Sequence, residues 1–169
     1  GETYMLRDTS DHPADLSGAR IRSNLPIGVF AGHRCANINS EEIFFCDTVL
    51  EQLLPISGWG TRYFSAPLKT RNHILSDGKG DTLRVTAAEN NTFVTVTDDA
   101  GSNVIVLSAN QIHEQRVIGP SQVVSEKPVL SAVYANSSDF DVVLESDPFM
   151  VMLQPERHWL DRYIICAPP

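Results

Sequence analysis

The sequence predicts an all-β fold of antiparallel strands with at most one short helix. Three observations carry this. Residues 82–107 alternate apolar and polar side chains with a period of two. Clusters of Asn, Asp and Gly recur at the spacing of turns between short strands. Two sequence elements also return after about 100 residues, a period that suits a small β-domain or a pair of propeller blades.

Taken in order, residues 3–6, 19–22 and 27–31 read as short strands. Residues 47–54 are the one helical expectation. Val49, Leu50, Leu53 and Leu54 fall on one helical face, Asp47 is placed to cap it, and Pro55 ends it. The same residues also suit an extended edge. A strand over 61–66 follows Trp59. Residues 82–87, 92–97 and 104–107 then form a meander, with turns at 88–91 and 98–103. Each of these strands should bury one face and wet the other. Further strands are expected over 113–117, 122–125, 129–134, 149–153 and 162–166.

The repeat rests on two matches. Trp59-Gly60-Thr61-Arg62-Tyr63-Phe64 is answered by Trp159-Leu160-Asp161-Arg162-Tyr163-Ile164, with Pro55 and Pro155 before them. Arg22-Ser23-Asn24-Leu25-Pro26-Ile27 is answered by Val124-Ser125-Glu126-Lys127-Pro128-Val129. The expected architecture is therefore a set of β-sandwich-like units of about 100 residues, with propeller-like blades as the alternative. An internal repeat would relate residues 19–64 to 121–164. Gly1 at the start and Pro168-Pro169 at the end read as the limits of a segment of a longer protein.

The net charge of -8, from 13 basic and 21 acidic side chains, speaks against a nucleic-acid partner. No apolar run approaches the ~20 residues of a membrane span. Hydrophobic residues at 42% and charged residues at 20% suit a globular chain. Cys35 and Cys46 bracket a short polar segment, and either close a small loop or remain buried thiols. Cys166 has no evident partner. Sequons begin at Asn90 and Asn136, both in expected turns, and are candidate glycosylation sites.

Several of these residues resemble a known family. The run from Asp15-Leu16-Ser17-Gly18 through Ile21-Arg22-Ser23-Asn24 and Pro26-Ile27-Gly28-Val29-Phe30-Ala31-Gly32-His33-Arg34-Cys35-Ala36 carries the likeness. So do Cys46-Asp47, Glu51-Gln52-Leu53-Leu54-Pro55, Trp59-Gly60, Pro128-Val129-Leu130 and Asp147-Pro148-Phe149-Met150. Together they resemble the IgG Fc-binding protein N-terminal domain family, with residues 32–59 the most specific part. The resemblance implies a secreted or surface setting in mucus-associated or adhesive proteins, and a Cys35–Cys46 disulfide. It carries over no ligand-binding residue, so the ligand contacts are unknown at this point.

Motifs for chemistry are sparse. The five histidines are scattered, and His33 with Cys35 lacks the two further ligands a zinc site needs. Asp139, Asp141, Glu145 and Asp147 crowd one segment, and Asp8, Asp11 and Asp15 another, but neither has a calcium-loop pattern. Gly78-Lys79-Gly80-Asp81 lacks the glycine spacing of a phosphate loop. No nucleophile elbow occurs. The expectation is an extracellular binding or adhesion module that uses no catalytic residue, metal or cofactor. Its partners would be proteins or glycoproteins and neighbouring domains, with no nucleic acid and no membrane span. The alternatives are a structural spacer in a filament, mucus polymer or coat, and a calcium-dependent lectin-like domain.

Overall fold

A computed structural model describes residues 1–8, 15–39, 46–68, 80–141 and 147–165. The strands are β1 (Val29–Ala36), β2 (Asp47–Leu53), β3 (Gly60–Ser65), β4 (Asp81–Ala87), β5 (Thr92–Asp98), β6 (Gly101–Leu107), β7 (Ile112–Val117), β8 (Ser121–Tyr134) and β9 (Met150–Met152). All pairings are antiparallel. The helix α1 (Ser138–Asp141) has four residues.

The 14-residue strand β8 organises the main sheet. Its first half pairs with β3 and β5, since Val124 faces Arg62 on one edge and Thr95 on the other. Its second half pairs with β9 and β4, since Tyr134 faces Met150 and Thr82. Beyond these lie β6 beside β5 and β7 beside β4. The neighbours change over between Ser125 and Val129, where Pro128 sits. A proline has no N–H to offer a ladder, so a change of neighbour is where it costs least.

The meander owes its turns to local chemistry. Asp98 Oδ1 accepts the amides of Ala100 and Gly101, and its Oδ2 accepts the Ile118 amide. Gly101 at φ 134° occupies backbone space that a side chain would strain. Asn91 and Asn110 also take left-handed conformations, which asparagine tolerates best among residues with a side chain. The sheet curls until its outer strands meet, with Asn103 on β6 donating to Gln115 on β7 at 2.9 Å. Inside the curl, Tyr63, Leu83, Val85, Val94, Val96, Val123 and Val129 form the main core.

A second layer covers part of the outer face. β1 and β2 form a separate hairpin. Its Ala36, Ile38 and Val49 pack against Ala132, Tyr134 and Met152 of the main sheet. The all-β, antiparallel architecture is thus the one the sequence predicts.

Individual elements differ from expectation. Residues 47–53 are a strand, so the helix expected there gives way to its extended alternative. Val49 is buried and Leu50 exposed, which is the alternation of a strand, and pairing with β1 supplies the hydrogen bonds a helix would have made internally. Residues 3–6 and 19–22 belong to no strand. The two strands expected over 122–125 and 129–134 are one. Residues 162–165 belong to no strand, and Cys166 lies outside the described residues.

Candidate binding surface

The outer face of the main sheet divides at the middle of β8. The half over β4, β9 and the end of β8 is covered by the β1–β2 hairpin. The half over β5 and β6 carries no such layer among the described residues. There Phe93 lies directly opposite Val106, and Val104 opposite Thr95. Phe93, Val104 and Val106 are 49%, 63% and 50% exposed. The residues alternating with them, Val94, Val96 and Leu107, are buried in the core. Period-two alternation therefore fixes this apolar strip to a rigid floor, because shifting it would expose the core.

The hairpin is pinned at its loop end. Cys35 and Cys46 form a disulfide with a Cα–Cα separation of 4.8 Å. Within β1, His33 Nδ1 accepts the Cys35 amide at 3.1 Å. Three residues past Cys35, Ile38 N–H donates to Ser137 Oγ at 3.1 Å, and Ser137 N–H returns a bond to the Ile38 carbonyl at 3.0 Å. Asn39 donates its amide to Asn136 Oδ1 at 2.9 Å and also to Thr82 Oγ1. The Thr82 hydroxyl donates to the same Asn136 oxygen at 2.7 Å, and Asn136 Nδ2 donates to the Gly80 carbonyl at 2.7 Å.

One of the two sequons lies in this network: Asn136 is wholly buried and its amide nitrogen donates to the Gly80 carbonyl. Asn90 is exposed in the β4–β5 turn, where its side-chain oxygen accepts the Ala109 amide at 2.9 Å and its backbone carbonyl accepts from Lys127 Nζ at 2.6 Å.

Asp15 sits beside β4, where burial raises its pKa. The Ser17 hydrogen bonds and the Arg84 guanidinium outweigh this and hold the carboxyl below its usual range. Arg84 pairs with Glu114 and lies 5.0 Å over the Tyr134 ring. Burial pushes the Tyr134 hydroxyl up, with Arg84 opposing. Of the acidic residues named from sequence, Asp11, Glu145 and the side chains of Asp139 and Asp141 lie outside the described residues, as do Gly78 and Lys79. Asp147 is exposed. Among the described residues, no three His, Cys, Asp or Glu side chains are grouped to hold a metal. No described helix is long and apolar enough to cross a membrane.

The turns that begin with Pro55 and Pro155 have the same construction. Each leads through one turn of 3-10 helix to a tryptophan whose N–H bonds back three residues, Trp59 to Ile56 at 3.0 Å and Trp159 to Glu156 at 2.9 Å. Each indole also bonds back five residues, Trp59 to the Leu54 carbonyl and Trp159 to that of Gln154. Tyr63 and Tyr163 accept the amides of Gly60 and Leu160, both at 2.8 Å. The second turn packs on β3, with Trp159 5.3 Å from Phe64 and Glu156 3.3 Å from Arg62. The apolar strip and these stacked turns were not singled out as a surface from sequence. Phe93 and Val106 are neighbours only through strand pairing.

Comparison with known proteins adds to this geometry. The human IgGFc-binding protein is 40% identical over 58 residues, which is 34% of this chain. The chain spans about 1% of that relative's length. No solved structure matches it. The family described as IgGFc binding protein matches residues 1–169, and the chain belongs to that family.

Proposed function

We propose that this chain is an extracellular recognition module that binds a protein or glycoprotein partner non-covalently. The observation that carries this reading is the uncovered apolar strip of Phe93, Val104 and Val106 on the outer face of the curled sheet. Isolated apolar side chains on a surface are ordinary, but a contiguous row on a rigid sheet is a recognition feature. The Cys35–Cys46 disulfide and the family support a secreted or cell-surface location, since disulfides persist in oxidising compartments. Asn90 is the sequon we assign as a glycan acceptor, pointing away from the core at the β4–β5 turn.

The related human protein is named for binding the Fc region of immunoglobulin G, which makes Fc the first ligand to test. The chain would be made through a secretory route and applied to immobilised Fc, mucin and other glycoproteins. Saturable binding is expected, reduced at least tenfold by Val104→Glu or Val106→Glu with no change in melting temperature. Absence of saturable binding across the panel, or binding indifferent to both charges, would overturn the reading.

A further inference from the structure

The hairpins β1–β2 and β8–β9 share one register. Phe30 faces Gln52, Ala31 faces Glu51 and Gly32 faces Leu50. Adding 102 to the first residue of each pair and 100 to the second gives Ala132 with Met152, Val133 with Val151 and Tyr134 with Met150, the pairs observed in β8–β9. The hydrogen bonds from Leu153 to Ser131 and from Ala135 to Phe149 extend the match by a residue at each end. Both hairpins continue into the same Pro-to-Trp turn.

The segments flanking the two hairpins differ. After the first turn, β3 pairs with the first half of β8, and buried Tyr63 donates its hydroxyl to the Val129 carbonyl. After the second turn, residues 160–165 belong to no sheet. Leu160, Tyr163, Ile164 and Ile165 are exposed, Tyr163 at 61% where Tyr63 is at 0%. The counterpart of the first half of β8, offset by 102, is residues 19–27. These too are unpaired, with Ile21, Leu25 and Ile27 exposed. Among the described residues, each segment lacks the kind of neighbour that the other is.

We infer that residues 160–165 are a docking strand for residues 19–27 of a second copy of this unit, in the register by which β3 pairs with β8. This goes beyond the binding reading and does not depend on the Phe93 strip. The register places Tyr163 opposite Ile21, Ile164 opposite Arg20 and Leu160 opposite Ile27. Tyr163 already accepts the Leu160 amide, and its hydroxyl proton would go to the Ile27 carbonyl of the other copy. Main-chain hydrogen bonds along a free strand supply affinity, and alternate side chains supply specificity. The chain's own residues 19–27 are held elsewhere. Gly18 lies so close to the Asn110 carbonyl that a Cβ would come within 2.7 Å of it, and Asp15 is held by Arg84. Both anchors lie across β8 and β4 from β3.

The register also sets Arg162 against Arg22, a like-charge pair that weakens the contact and makes it tighten with added salt. The test uses this. Sedimentation over a concentration series would compare the chain with Arg22→Glu, an exposed position that leaves the core untouched. The expected result is self-association on the order of fivefold tighter in the variant. In parallel, Ile164→Cys and Arg20→Cys chains, each also carrying Cys166→Ser, would be mixed and oxidised. A mixed disulfide dimer is expected, at least tenfold above Ile164→Cys mixed with Ile21→Cys, whose side chains would project on opposite faces. Equal yields in the two mixtures, unchanged or weaker association of Arg22→Glu, or closure within one chain carrying both Ile164→Cys and Arg20→Cys would overturn the inference.

Discussion

The Tyr63 hydroxyl donates to the Val129 carbonyl on β8 while accepting the Gly60 amide at the start of its own strand. One side chain thus closes a turn and fastens it to the central strand, at a wholly buried position. Tyr63→Phe would keep the ring and leave a buried donor and acceptor unpaired. The expected cost is about 1–3 kcal/mol, read as a lower midpoint in urea. Tyr163→Phe, at the exposed counterpart, should leave the midpoint of the monomer nearly unchanged.

Alkaline pH should unfold the protein through its tyrosines. Burial raises the pKa of both Tyr63 and Tyr134 above 10.0. Above about pH 10 the unfolded chain releases these protons while the folded chain retains them. Their contribution is fully present below that pH and is lost as pH rises through the folded values. Melting temperature should therefore fall as pH rises above about 10. Tyrosinate absorbance should rise in two stages, the second coinciding with loss of far-ultraviolet strand signal. A single stage at the ordinary tyrosine pKa would contradict the burial.

The disulfide closes a loop with a sequence separation of 11. A bridge over so short a loop contributes about 3 kcal/mol in the chain-entropy account. Cys35→Ser with Cys46→Ser should lower stability by roughly that amount, and reductant should no longer affect the double variant. Hydrogen exchange should show the loss concentrated in residues 29–53, with the meander of β4 to β6 retaining its protection.

Asn136 and Asn90 should separate cleanly. Asn136→Ala removes the acceptor and donor joining Asn39, Thr82 and Gly80, at an expected cost of about 2–3 kcal/mol. Asn90→Gln should remove all N-linked sugar at the two described sequons without a change in stability. Intact mass of the two variants after secretion checks both statements.

The parts of the fold legible in sequence are those where burial follows the backbone's own period. In β4 and β5 every second residue enters the core, so Val85, Val94 and Val96 announce themselves. Residues 47–54 misled because Val49, Leu50, Leu53 and Leu54 satisfy two periods at once. Only pairing with β1 decides between them, and that partner is many residues away. Pro128 split β8 in the sequence, since a proline ordinarily ends a strand. It is accommodated because the neighbouring strands change there, a property of the sheet and not of the segment. The Asn136 sequon looked like an exposed turn because Asn-Ser-Ser is turn chemistry. Its burial comes from the β1–β2 hairpin folding over it, bringing Ile38 and Asn39 from nearly 100 residues upstream.

The length and position of β8 set the order of events during synthesis. β3, β4 and β5 all precede it in the chain, and each needs it as a neighbour. A ribosome adding about 5–20 residues per second leaves β3 waiting several seconds before Ser121 and its successors emerge. Until then the nascent meander has nothing to close against, and valines destined for the interior face solvent. The final assembly is thus gated by translation of a single segment. A chaperone acting on this protein would find its client in the interval between Ser65 and Tyr134.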